Sequence, residues 1–195
     1  MLKSYLGINV EWTEEGHCLL SQSKKIERLI EKCGLQSAKV VKTPMTTSFV
    51  SEEVTRAFED KRLFRSVVGS LQFISSHTRP DISYPVHVLA RRVNDPRIED
   101  WTAVKHLIRY LKGTMDKRLI IRKSNADLEC YVDSSFASES GDKKSVSGMI
   151  IRYSESPIVW RSRKQTNVAL STSEAEFAAL NEITNEKFMK IHSPV

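Results

Sequence analysis

Apolar and polar positions first alternate with a period near two. Tyr5, Leu6, Ile8 and Val10 precede a polar turn, Thr13-Glu14-Glu15-Gly16-His17, and Cys18-Leu19-Leu20 follows it. Such alternation around a Gly-containing loop predicts a β-hairpin. The period then lengthens: Ile26, Leu29, Ile30 and Cys33 recur at helical spacing behind a candidate N-cap, Ser21, until Gly34 stops the run. Between Val40 and about Arg62 no period holds. Thr43-Pro44-Met45 and the acidic Ser51-Glu52-Glu53 and Glu59-Asp60 read there as a solvated connector. An apolar run from Val67 to Ile74 predicts a helix, and Pro80 starts another that carries Val86, Leu89 and Val93. Asn94-Asp95-Pro96 breaks it. A third helix shows Trp101, Val104, Leu107, Ile108 and Leu111 on one face and ends at Gly113.

Past Lys123-Ser124-Asn125 the period returns to two. Leu128–Val132, Ser147–Tyr153 and Pro157–Arg161 predict three strands, and a helix starting near Ser171 or Ser173 carries Phe177, Leu180 and Phe188. A hairpin and helices followed by strands and a helix predict an α+β chain in two parts, residues 1–123 and 126–195.

Composition narrows the class. The 195 residues are 40% hydrophobic and 28% charged, which suits a folded chain rather than a disordered one. No apolar stretch has a membrane span's length and no signal peptide opens the chain, so an intracellular protein, cytoplasmic or nuclear, is expected. Cys18, Cys33 and Cys130 lack both disulfide pairing by number and C-x-x-C spacing, and are expected as reduced, partly buried thiols. Thirty basic against 24 acidic residues leave a net charge of +6, a weak pointer to polyanions.

Three groupings could carry chemistry. Asp133 ends one strand and Glu176 opens the last helix, so their carboxylates could meet on one hard divalent cation. Capping boxes account for the same acids equally well, Ser171 with Glu174 or Ser173 with Glu176. Lys25, Arg28 and Lys32 form one basic helical stripe, and Lys105, Arg109 and Lys112 another; either tracks a duplex backbone or is a solvated helix face. Trp160-Arg161-Ser162-Arg163-Lys164-Gln165 reads as a stacking and neutralising surface or as a charge-protected edge strand.

The order of short motifs then becomes informative. Tyr5-Leu6-Gly7-Ile8, Leu20-Ser21-Gln22-Ser23-Lys24-Lys25-Ile26 and Thr43-Pro44-Met45 resemble the stretch after the polymerase box of copia-type retrotransposon Pol proteins. Arg65-Ser66-Val67-Val68-Gly69-Ser70-Leu71 is similar to the family's Y-R-x-x-x-G-S-L, with Phe64 in place of Tyr. Thr78-Arg79-Pro80-Asp81-Ile82 and Arg109-Tyr110-Leu111-Lys112-Gly113-Thr114 match T-R-P-D-I and R-Y-L-K-G-T. Trp160 to Gln165 and Leu170 to Phe177 are similar to W-x-S-K-K-Q and L-S-(S/T)-x-E-A-E-Y. Arg163 and Phe177 depart from the usual Lys and Tyr.

The resemblance covers nearly the whole chain. It implies the end of a reverse transcriptase palm, a thumb and a connection in residues 1–123, with the polymerase aspartates expected before Met1. Tyr131-Val132-Asp133-Ser134 resembles the Tyr-x-Asp-Asp polymerase box, but its position matches the first strand of ribonuclease H. Residues 126–195 are thus expected to form a truncated ribonuclease H-like domain of three antiparallel strands plus one helix. There Asp133 and Glu176 would be catalytic ligands of magnesium, with two further acids lacking. An inactive Pol fragment is the leading expectation. The alternatives are a nucleic-acid-binding module and a ribonuclease H completed by another chain. RNA–DNA hybrid or duplex nucleic acid is the expected partner, and self-association is expected through an unpaired sheet edge at Leu128–Val132.

Overall fold

The computed structural model describes residues 3–46, 56–123, 127–135 and 144–185. It divides into two units, Met1–Asn125 and Ala126–Val195. Helix and strand are mixed, and the strands form two antiparallel sheets. Among the described residues no helix is long and apolar enough to cross a membrane. Phe188 and Glu52-Glu53 lie outside the described residues.

In the first unit, β1 (Ser4–Tyr5), β2 (Ile8–Trp12), β3 (Cys18–Ser21) and β4 (Leu119–Ile121) make a sheet in that order. The expected single hairpin is two. Leu6 and Gly7 both take positive φ (48° and 80°), which fits a two-residue turn matched to strand twist. The strand β4 lay hidden in a three-residue apolar stretch too short to show a period.

Helix α1 (Ser23–Lys32) starts two residues after the expected cap. Gln22, not Ser21, stands at the N-cap, with no side-chain cap bond. Helix α2 (Lys61–His77) is longer than its apolar run because Asp60 accepts a bond from the Leu63 amide at 2.8 Å. The acid read as part of a solvated connector is therefore a helix cap, a common role for Asp. A turn of 3-10 helix at Pro80–Ile82 leads into α3 (Ser83–Ala90), which stops before Val93. Helix α4 (Ile98–Gly113) opens on Asp100, which accepts from the Arg97 amide at 2.7 Å. Ile26 and Leu29 of α1, Phe64, Val67, Leu71 and Ile74 of α2, Leu89 of α3, and Val104, Leu107, Ile108 and Leu111 of α4 form one buried cluster. Each such side chain contributes about 1.5–3 kcal/mol when removed from water.

One polar network lies within this packing. Arg79 is 3% exposed. Its Nε and Nη2 donate to the two Asp81 carboxylate oxygens at 2.9 and 2.7 Å, while Nη1 and Nη2 reach the carbonyl and hydroxyl of Thr114 at 3.0 and 2.7 Å. The Tyr110 hydroxyl donates to Asp81 at 2.8 Å. Segments matching two separate family motifs thus clasp each other, one before α3 and one at the end of α4.

In the second unit, β5 (Leu128–Ser135), β6 (Val146–Tyr153) and β7 (Ser156–Lys164) pair antiparallel in that order, and α5 (Thr172–Asn185) packs on β5 and β6. Ala175 and Ala179 are its buried residues among those described. Gln165 donates to Ser147 Oγ at 2.9 Å and to the Ala175 carbonyl at 2.8 Å, tying helix to sheet.

Burial alone would raise the Asp81 pKa, but the Arg79 fork and charge and the Tyr110 hydroxyl hold it below the usual carboxylate range. The folded carboxyl therefore titrates below the unfolded one. Its contribution is complete above about pH 4 and is lost as pH falls through the folded value. Urea melts between about pH 5 and about pH 2 should show this acid-limb loss in the parent chain and a shallower one in Asp81→Asn. Arg79→Ala should lower stability at neutral pH by about 3 kcal/mol, because it leaves the Asp81 carboxylate without its cation and the Thr114 carbonyl and hydroxyl without the guanidinium donors.

Candidate nucleic-acid interface and carboxylate pair

The two basic stripes have different surroundings. On α4, Lys112 Nζ donates to the carbonyls of Gln36 and Ala38 at 2.5 and 2.9 Å, and Arg109 Nε to that of Lys39 at 2.5 Å. His106 Nε2 lies 2.8 Å from the Thr43 carbonyl. These residues are three apart, so one helix face fastens a strap running from Leu35 to Thr43. Gly113 belongs to the same device. A Cβ there would lie 3.0 Å from Val40 Cβ, tighter than ordinary contact. Arg109 and Lys112 thus satisfy main-chain acceptors of this chain, which neither sequence reading of the stripe anticipated. Lys105, at the start of the stripe, is half-buried.

On α1, Lys25 sits over the Phe73 ring of α2, 3.6 Å from its centroid. Lys32 donates to Ser66 Oγ at 2.6 Å. Residues seven apart on α1 meet residues seven apart on α2 in reverse order, so the helices run antiparallel. Arg28 between them is exposed. The adjoining face of α2 presents exposed Arg62, Arg65, Ser66, Gly69, Gln72 and Ser76. Their spacing of three or four makes one stripe.

Gly69 is the informative member. A glycine inside a helix costs about 0.5–1 kcal/mol relative to Ala. Nothing lies within 4 Å of a Cβ placed there, so packing among the described residues does not require it. Sequence reasoning missed this face because the helix was expected to start several residues later, which left Arg62 and Arg65 outside it.

In the second unit Asp133 and Glu176 are both exposed, on elements that pack together. Alternation along β5 separates them. Val132 shares a small cleft with Met149, Arg161, Arg163 and Ala179 of α5, which marks the helix side of the sheet. The other side carries Glu129 and Tyr131, identified by Arg152, which lies 3.5 Å from Glu129 and over the Tyr131 ring. Asp133 follows Tyr131 by two and falls on that second side. Its Oδ1 accepts from the Ser134 amide at 2.9 Å. Glu174 and Glu176 are also told apart. Glu174 accepts from the Leu170 amide at 2.6 Å while its own amide donates to Ser171 Oγ at 3.1 Å. That is a capping arrangement, which leaves Glu176 as the acid without a capping role. No group of three or more His, Cys, Asp or Glu among the described residues could hold a metal ion.

The remaining sequence candidates are placed simply. Trp160–Lys164 belongs to β7, an edge of its sheet. Cys18 and Cys33 are half-buried and Cys130 is exposed. Cys130 thus departs from the expected partly buried thiols, and partial desolvation raises all three above their usual pKa.

The strap makes a testable claim. Arg109→Ala with Lys112→Ala should lower stability by about 1–3 kcal/mol and speed hydrogen exchange in residues 35–43. Amide exchange followed by mass spectrometry reads both.

No family model matches the chain, and no solved structure does. Curated relatives do. An uncharacterized mitochondrial protein of Arabidopsis thaliana, AtMg00810, is 33% identical over 177 residues, which are 90% of this chain and 73% of that protein. The retrovirus-related Pol polyprotein from transposon TNT 1-94 of Nicotiana tabacum is 38% identical over 86% of the chain. That from transposon RE2 of Arabidopsis thaliana is 34% identical over 95% of it. The chain spans 13% of the length of each polyprotein. With this identity sustained across both units, the chain belongs to the family of retrovirus-related Pol polyproteins from transposons.

Proposed function

We propose that this chain corresponds to the thumb and connection of a copia-type reverse transcriptase followed by part of a ribonuclease H-like domain, and that its activity is to hold an RNA–DNA hybrid or other duplex. The observation that carries the reading is Gly69, exposed at the middle of α2 with open space above it. A helix-interior glycine that internal packing does not need suits close approach by another molecule's backbone. Arg62 and Arg65 on the same stripe, with Arg28 and Lys32 of α1 alongside, supply charge for phosphates. Of the two basic stripes, the one on α1 adjoins this surface, whereas that on α4 holds the strap.

Cleavage by the chain alone is not part of this reading. Magnesium at a ribonuclease H site would be held by Asp133 and Glu176. Two-ion chemistry needs carboxylates converging from several elements. Here Asp133 lies on the face of β5 turned away from α5, the helix that carries Glu176, so the pair does not fit a closed two-ion cage and no catalytic step is assigned to it. Completion by another chain would have to reorient Asp133 as well as add acids.

The test exploits the opposite signs of two effects. Gly69→Ala should stabilise the fold by about 0.5–1 kcal/mol and weaken binding of a labelled RNA–DNA hybrid about tenfold. Arg62→Ala with Arg65→Ala should lower both affinity and its dependence on salt. A stability gain at unchanged affinity would move the interface off α2. Labelled hybrid with magnesium should remain uncut by the purified chain, to the same extent as with Asp133→Asn; cleavage abolished by that substitution would restore the ribonuclease reading.

A further inference from the structure

The two edges of the second sheet are unlike. β7 carries Pro157, a register irregularity opposite Ile151/Arg152, and the cations Arg161, Arg163 and Lys164. Proline, bulges and charge are the ordinary means of discouraging strand addition. β5 has no proline and no register irregularity, and its only charges are the acids Glu129 and Asp133. It runs eight residues, Leu-Glu-Cys-Tyr-Val-Asp-Ser-Ser, and pairs on one side only with β6 among the described residues. Leu128 is 41% and Tyr131 49% exposed on it. α5, which packs on the same strand, itself exposes Phe177 and Leu180, at 67% and 53%.

We propose that two copies of this chain pair through the outer edges of β5, antiparallel and centred on Cys130. Strand polarity and charge choose both occupant and register. β5 bears two acids and no base, which disfavours a phosphate backbone. Pairing β5 with the β7 edge of another copy is head-to-tail and does not close, and it must pass the proline and the register irregularity of β7, whereas β5 with β5 is self-complementary about a two-fold axis. A register centred on Tyr131 would oppose Glu129 to Asp133 twice. Centred on Cys130, Leu128 faces Val132 of the second copy, Glu129 faces Tyr131, and Cys130 faces itself. Apolar thus meets apolar on the α5 side of both sheets. The remaining like-charge meeting is Asp127 with Asp133, at the two ends of the pairing.

Sedimentation of the full chain at micromolar concentration tests this. The expected result is a monomer–dimer equilibrium that tightens with added salt, as the end carboxylates are screened. Leu128→Lys, at an exposed position, should raise the dissociation constant about tenfold or more. In a Cys18→Ser/Cys33→Ser variant, mild oxidation should give a covalent dimer through Cys130, since directly opposed residues bring their Cβ atoms to about 4.5–5.5 Å, a small closure away from the roughly 3.5–4.5 Å of a disulfide. A monomeric parent chain overturns the proposal, as does a dimer indifferent to Leu128→Lys that yields no Cys130 crosslink. A monomer whose amides at 128–135 resist exchange would mean that this chain covers its own edge, which overturns it too.

Discussion

The guanidinium of Arg79 is the constraint around which the first unit is organised. A buried cation is tolerated where its charge is paired and its donors find acceptors. Arg79 finds them in Asp81, two residues on, and in Thr114, thirty-five residues on. The local half of that pairing fixes the turn at Pro80–Ile82, and the distant half fixes where α4 ends. Between the two lies all of α3 and α4, so the register of two helices against α2 is specified by one side chain. Thr78, beside it, donates to the buried Gln22 at 2.8 Å and brings the entrance of α1 to the same place. The apolar cluster supplies the bulk of the stabilisation. The clasp gives the cluster a single arrangement.

Long periodic segments were legible in the sequence, and short or polar devices were not. The face Val104, Leu107, Ile108 and Leu111 announces α4 because four apolar residues repeat at helical spacing. The alternation in β5, β6 and β7 is equally plain. In contrast β4 is three residues long and is a strand only because β3 pairs with it. Asp60 is a cap whose role depends on which amide happens to lie free, whereas the capping pair of Ser171 and Glu174 was legible as one of two alternatives. The basic stripe on α4 was visible, but its use was not. Periodicity says which residues share a helix face and not what approaches that face, and here the approach is made by backbone carbonyls at least seventy residues away along the chain.

The candidate carboxylates illustrate the same limit. Spacing could place Asp133 on a strand and Glu176 on a helix. Which side of the strand faced the helix rested on the register between β5 and β6, a property of two strands together. With that register known, Val132 lies toward the helix and Asp133 away from it. Motif order, by comparison, carried family membership because it is insensitive to such a one-residue change.

The strap along α4 also alters how the chain's basicity should be understood. An isoelectric point near 9.2 counts Arg109 and Lys112 at full value. Each nevertheless directs N–H groups into the negative ends of peptide dipoles, so its field outside the molecule is partly cancelled close to its source. Electrophoretic mobility still follows the net charge, which neutral peptide dipoles leave unchanged, whereas ion-exchange retention also responds to where cations are presented. Composition therefore overstates the cations that α4 offers to a partner, while Arg28, Arg62 and Arg65 of the same unit stand exposed.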